Sequence, residues 1–439
     1  MLPSHTVRKR FWAYTLPSMF GQLLNSLFII VDGFFIGQNL GDAGLAAINV
    51  AWPLVALIQA VSMAVGTGGS VQLAIDVGRG DLLSARRARD HAVFMLFLSA
   101  VILGGVFFVS YPVLLPLLGA NQELSPLTAA YIRVVCICAA CQVFTTGVMP
   151  LLRGCGKAIP AMCLTVLGLV GNIVLDWLFI QYFSWGMEGV ALATALSQGA
   201  SGFLGLFLLL VHREFRIARP AFRPVLSQMK RILRLGCPTF GLTISTSVLI
   251  LLTNLQAMRY GGTEGVAVYA VLSYVLGSVL PLVSGVGDGV QPLLGNAYGA
   301  QDSSAIVRLR HMGLGLAVGT AVFCSTVCWI FRPLLPLVFG ASPSASLKVE
   351  GAIWTLCLAF PFMAVLRFCS SYFCALGRAG ISSILAYCEP LLAQPFFLFL
   401  FPLLWKLSGV WMSYPAAVIV MAAAALILVR KNPVSMLHS

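Results

Sequence analysis

Residues 158–183 read AIPAMCLTVLGLVGNIVLDWLFIQYF, a run of 26 positions whose single charged residue is Asp176. A helix needs about 20 apolar residues to cross a hydrocarbon core roughly 30 Å thick, so this run can span a membrane. It is continuous rather than alternating, which disfavours a barrel strand, and a spanning helix satisfies its own backbone hydrogen bonds. Comparable runs recur at 11–37, 45–75, 91–118, 126–152, 189–211, 232–258, 266–290, 311–339, 350–376, 381–405 and 409–429. The sequence therefore predicts an all-α integral membrane protein of twelve helices with no soluble domain between them. Its 9% charged content agrees, since soluble domains carry roughly 25%.

The basic run Arg8, Lys9, Arg10 ahead of the first span resembles the start of a signal peptide. The span that follows is too long for a signal-peptide core and contains Asp32, so it reads as a retained helix. The net charge of +13 could suggest nucleic acid, but the placement of the charges argues otherwise. With the N-terminus inside, 21 of the 27 Lys and Arg collect on the inner side, among them Arg86, Arg89, Arg219 and Arg234. Outer loops keep Arg259, Arg332, Lys348 and Lys406. The positive-inside rule then expects both termini in the cytoplasm and the chain in the inner (plasma) membrane.

A shift of 220 to 221 residues aligns the chain with itself. Pro17 falls on Pro238, "GDAGL" from Gly41 on "GTEGV" from Gly262, "GKA" at Gly156 on "GRA" at Gly377, and "WGMEGV" at Trp185 on "WKLSGV" at Trp405. Six helices per copy leave both copies in the same orientation, as parallel repeats about an axis along the membrane normal. The expected domains are an N-terminal lobe over 1–211, a basic cytoplasmic linker over 212–231 and a C-terminal lobe over 232–439.

Carboxylates within spans are the candidates for function, because a central one costs about 2.5–3.5 kcal/mol to insert. Asn172 and Asp176 are four residues apart and share a helix face, as do Thr194 and Gln198 on the next span. Asn25 and Asp32 are two turns apart on the first span, with Gln22 one turn beyond Asn25. If these faces meet, they form a polar cavity for a proton or a hard cation held through oxygen. At the repeat shift Asp32 falls on Thr253, Asn172 on Ala393, Asp176 on Phe397 and Thr194 on Tyr414, so the task belongs to one half. The competing reading is a helix-to-helix hydrogen bond or a protonated structural carboxyl. Gln22, Asn25 and Gln198, together with Asn254, Gln256, Asp288, Arg367 and Glu389 of the other half, form a candidate substrate cavity. Arg367 can pair with Glu389, Asp288 lies near an estimated helix end, and Asp76 reads as a solvated cap.

No GxxxxGK[ST] loop is present, so ATP drive within the chain is disfavoured. The glycine-rich "MAVGTGGS" at 63–70 lies inside a span and reads as close helix packing. Cys136, Cys138 and Cys141 lack a second ligand group and read as packing residues rather than a metal motif. The five His residues pair with no nucleophile or metal motif, which argues against a membrane enzyme.

The segments "VDGFFIGQNLGDAGLAAINVAWP", "VGTGGSVQLAIDVGRGD", "LLRGCGKAIPAM", "GNIVLDWLFI" with "GMEGVALATALSQ", and "QPLLGNAYGAQ" resemble the multidrug and toxic compound extrusion (MATE) transporters over nearly the whole chain. The last is similar to the prokaryotic branch that includes DinF-like and MepA-like exporters. The resemblance implies a V-shaped bundle of two six-helix lobes, exporting organic cations or other amphipathic compounds against H⁺ or Na⁺ by alternating access, with no further cofactor. It implies a proton or Na⁺ site at Asp32, Asn172, Asp176 and Thr194. In the branch typified by NorM the seventh and tenth helices carry acidic residues; here they carry Asn254, Gln256 and Arg367, against a second-lobe ion site of that type. A lipid-linked saccharide flippase of the same superfamily is the alternative, without its usual extra helices. The expected partners are small molecules and the lipid bilayer, for a monomeric chain.

Overall fold

The computed structural model describes residues 4–118, 124–211, 224–335 and 343–433, nearly all of them helical. In chain order the helices are α1 (Ser4–Gly78), α2 (Leu82–Leu117), α3 (Leu124–Ile137), α4 (Ala139–Gly154), α5 (Ala158–Asp176) and α6 (Gly186–Leu210), then α7 (Leu226–Gly299), α8 (Ser303–Ile330), α9 (Pro343–Ala375), α10 (Ala379–Cys388) and α11 (Gln394–Lys431). Two π-helical turns, Trp177–Tyr182 and Glu389–Ala393, follow α5 and α10 directly.

Among the described residues nine segments are long and apolar enough to cross a bilayer, ten when α3 and α4, bent by 60° at their junction, count as one. The segment Ala379–Lys431 has 53 residues, far more than the about 20 that one crossing needs. Its backbone leaves helical geometry at Lys406 (φ 49°, ψ −128°), so it accommodates two crossings. The part of α1 ahead of Ala47 is outside the nine yet helical from Ser4. With it, the twelve expected spans are accommodated. Side chains such as Val109, Ile137 and Phe323 are 80%, 71% and 68% exposed, an arrangement that water would penalise and hydrocarbon solvates.

The repeat is visible in backbone geometry where the residues themselves have diverged. Six of the eight positive φ angles among the described residues fall in three pairs at the repeat spacing: Gly80 (77°) with Gln301 (56°), Gly156 (84°) with Gly377 (73°), and Gly186 (58°) with Lys406 (49°). Asp81 and Asp302 form another such pair, capping α2 and α8 by accepting the backbone N–H of Ser84 at 2.9 Å and of Ala305 at 3.0 Å. An N-cap of this kind satisfies an orphan donor of the first turn. The bonds from Ser84 hold the Asp81 carboxyl below its ordinary range.

Gly186 takes its positive φ freely, whereas the Cβ of Lys406 resists it. Lys406→Gly is therefore expected to stabilise the fold by about 1 kcal/mol, read as a higher thermal midpoint of the detergent-solubilised protein. A midpoint at or below the parental value would contradict the strain argument.

The chain forms two compact units. The N-unit is Leu23–Phe240, and the C-unit joins Gly241–Ser439 to Met1–Gln22. Their boundaries fall inside α1 and α7, not within the segment 212–231, of which 212–223 lies outside the described residues. Each unit has its own apolar core. In the N-unit Ile232 joins Ile58, Leu96 and Leu151; in the C-unit Phe11 joins Val290, Phe360 and Tyr372.

Candidate functional site

On α5 the four-residue spacing of Asn172 and Asp176 puts both on one face, and neither has exposed surface. Glycines let the neighbouring helices approach. A Cβ on Gly168, one turn before Asn172, would stand 2.8 Å from Ser201 Oγ of α6. A Cβ on Gly202 of α6 would stand 2.6 Å from the backbone N of Thr145 on α4, and the Thr145 hydroxyl donates to the Gln198 carbonyl. Held this way, α6 brings Thr194 to α1, where its Oγ1 donates to Asp32 Oδ1 at 3.2 Å. Asp32 is half-buried. Asn172 faces Asp32, and Asp176 lies within electrostatic reach of it. The structure thus brings Asp32, Asn172, Asp176 and Thr194 together in the N-unit.

Four atoms of this cluster are unsatisfied. Both side-chain polar atoms of Asn172 and both carboxyl oxygens of Asp176 are buried without a hydrogen-bond partner among the described residues. Each such group costs roughly 1–3 kcal/mol, and more when charged. A ligand that meets these atoms would remove the penalty. The donors are oxygens of two carboxyls, an amide and a hydroxyl, which suits a proton or a hard cation such as Na⁺ and does not suit a soft metal. Asp176 also ends α5 where the π turn Trp177–Tyr182 begins, and π turns inside helices occur frequently at functional sites.

Tyr131 of α3, buried at 5% exposure, feels the charge of both Asp32 and Asp176 and was not singled out from sequence. A signal was available. At the repeat shift Tyr131 falls on Ala352, the same loss of a polar group that marks Asp176, which falls on Phe397.

Several expected cavity residues lie elsewhere. Gln22 does not join the Asp32 cluster: it belongs to the C-unit, where its Nε2 donates to Asp288 Oδ2 at 2.5 Å. Asn25 is exposed. Asp288 is not near a helix end but well inside α7, half-buried. Asp76 is no solvated cap either; it is 4% exposed, accepts from Gln72 Nε2 at 2.6 Å and lies 3.6 Å from Arg79. Gln198 and Asn254 are half-buried and Gln256 is buried. Arg367 and Glu389 do pair, Nη2 to Oε2 at 3.0 Å.

The family model described as MatE matches residues 17–178 and again 238–399. The two matches are offset by the repeat spacing. Among curated proteins the chain is 26% identical over 333 residues to the multidrug export protein MepA of Staphylococcus saprophyticus, covering 74% of this chain and 71% of that one. It is 23% identical over 434 residues to MepA of Staphylococcus aureus, covering 96% and 93%. Among solved structures it superposes on an outward-facing multidrug resistance MATE family transporter of the MOP superfamily with a TM-score of 0.93, 26% identity and coverage of 98% and 97%. A MOP superfamily transporter from Pyrococcus furiosus, whose binding pocket is described as of reverse polarity, gives 0.89, 27%, 99% and 97%.

Proposed function

Since the chain belongs to the MatE family, we propose that it is a secondary active exporter of amphipathic or cationic small molecules, working by alternating access and driven by inward movement of H⁺ or Na⁺. The observation that carries the reading is the set of four buried, unpartnered polar atoms on Asn172 and Asp176 beside the Asp32–Thr194 bond. In this scheme an ion from the outside neutralises the carboxyl pair and meets the three oxygens among those atoms, Asn172 Oδ1 and the two of Asp176. Ion and substrate compete, and the ion favours the substrate-releasing conformation by as much as its affinity differs between the two states. The names of the MepA relatives support export of drugs. The inner-side concentration of Lys and Arg supports a plasma-membrane chain with both termini in the cytoplasm.

The test is export of a fluorescent organic cation from proteoliposomes in which the pH gradient and the Na⁺ gradient are collapsed in turn. Export should stop when one of the two is removed. Export that persists with both collapsed, or that follows added ATP alone, would overturn the reading. For orientation, a tag at Arg219 is expected to stay inaccessible from outside intact cells and one at Asn121 to be accessible. The reverse pattern would invert the topology.

A further inference from the structure

Each repeat carries one fully buried carboxylate beside a π turn, but the two sit in unlike company. In the N-unit Asp176 precedes its π turn, and neither of its oxygens has a partner. In the C-unit Glu389 opens its π turn at 1% exposure, and its Oε2 accepts from Arg367 Nη2 at 3.0 Å. The Arg367 side chain is 13% exposed. The other titratable groups that face the pair are Tyr414 of α11, within electrostatic reach of both partners, and Tyr269 of α7, which adjoins Tyr414 and Thr253.

The pair is not part of the repeat. At the repeat shift Glu389 falls on Gly168 and Arg367 on Thr146, so neither charge has a counterpart in the first half. A buried carboxylate must be neutralised by a bound proton, a bound cation or a covalently attached one. Among the described residues no basic side chain pairs with Asp176, whereas Glu389 is paired with Arg367 of its own unit.

We infer that Arg367 is a tethered counter-ion: its guanidinium does permanently for Glu389 what a mobile ion does for an unpaired carboxylate, so that Glu389 binds neither H⁺ nor Na⁺ and holds a latent monovalent-cation site. The inference goes beyond the proposed coupling site and does not depend on it. Its consequence is that the C-unit adds no mobile ion through Glu389. Removing the guanidinium opens the latent site.

The experiment uses dicyclohexylcarbodiimide, which reacts with protonated carboxyls, on the full-length membrane protein at neutral pH, with mass spectrometry of the labelled residue. In the parent Glu389 should remain unlabelled. In Arg367→Gln it should become labelled, with protection by Na⁺ or by raised pH, and the gain should persist when Asp32→Asn and Asp176→Asn are added. Equilibrium binding of radioactive Na⁺ and proton uptake on that triple variant should show a newly bound ion that Glu389→Gln removes again. Arg367→Lys keeps a tethered cation and should stay unlabelled, which provides a readout if Arg367→Gln does not fold. Label on Glu389 in the parent or in Arg367→Lys, or a folded Arg367→Gln that gains neither label nor ion, overturns the inference. Loss of export in Asp32→Asn with all these results intact would concern the N-unit alone.

Discussion

Asp176→Asn is expected to abolish gradient-driven export while the protein remains folded in the membrane. Asparagine keeps the shape of the side chain and its hydrogen-bonding capacity, but it removes the charge that a proton or Na⁺ neutralises. The energy at stake is that of coupling between ion and substrate, typically about 1–3 kcal/mol or 5–150-fold in affinity. Ion-dependent release of substrate should therefore fall to the uncoupled level, and Asp32→Asn should do nearly the same, since Asp32 is the acceptor of the Thr194 hydroxyl. Stability should move the other way or stay level. Both Asp176 oxygens are buried and unpartnered, and a neutral amide is cheaper to bury than a carboxylate. A variant that is as stable as the parent and inactive is the signature of a functional group, as distinct from a structural one. Export and ion-dependent substrate release on reconstituted variants decide the matter. Parental export and parental gradient dependence in both single variants and in the double variant would remove the N-unit coupling site.

How far the sequence could be read depended on which solvent each segment faces. Hydrocarbon tolerates few backbone solutions, so run length and the absence of alternation were enough to predict helices. The repeat was legible at Gly156 and Gly377 because glycine was kept where φ is positive. It was illegible at Gly80 and Gln301, which share the same turn geometry although the residue changed. The Asn172, Asp176 and Thr194 cluster was legible because a four-residue spacing fixes a helix face whatever packs against it. The partner of Gln22 was illegible for a related reason. Its spacing to Asn25 and Asp32 is helical, but the unit boundary lies between Gln22 and Leu23, and periodicity within one helix carries no sign of that change. Asp76 reads as a cap because a basic loop follows it in sequence, whereas Gln72, one turn back, bonds it in the interior. Tyr131 was passed over because tyrosine in a span carries no insertion penalty large enough to demand an explanation.

The second large effect is expected from Gly68→Leu, and its motive is the segment MAVGTGGS at 63–70. Each of three glycines there abuts a different helix of the N-unit. A Cβ on Gly66 would strike the Gly147 carbonyl of α4, one on Gly68 the Ile232 carbonyl of α7, and one on Gly69 would stand 2.6 Å from Ala92 Cβ of α2. The contact at Gly68 is reciprocal in kind, since a Cβ on Gly236 of α7 would strike the Ala64 carbonyl of α1. These obstacles are largely backbone, which cannot rotate aside as a flexible side chain can. Overpacking a tight interior costs about 1–3 kcal/mol and occasionally more; with the main chain as the obstacle, the upper end applies. Against a total stability of about 5–15 kcal/mol, that loss should appear as a sharp drop in folded yield and in thermal midpoint. Gly68→Ala should fall between the parent and Gly68→Leu. Gly319→Leu on α8 is the control, because nothing lies within 4 Å of where its Cβ would stand, and leucine is the better helix former. Yield of monodisperse protein on size exclusion, with the thermal midpoint of each variant, gives the answer. A Gly68→Leu protein with parental yield and midpoint would mean that α1 and α7 do not approach as closely as these glycines require.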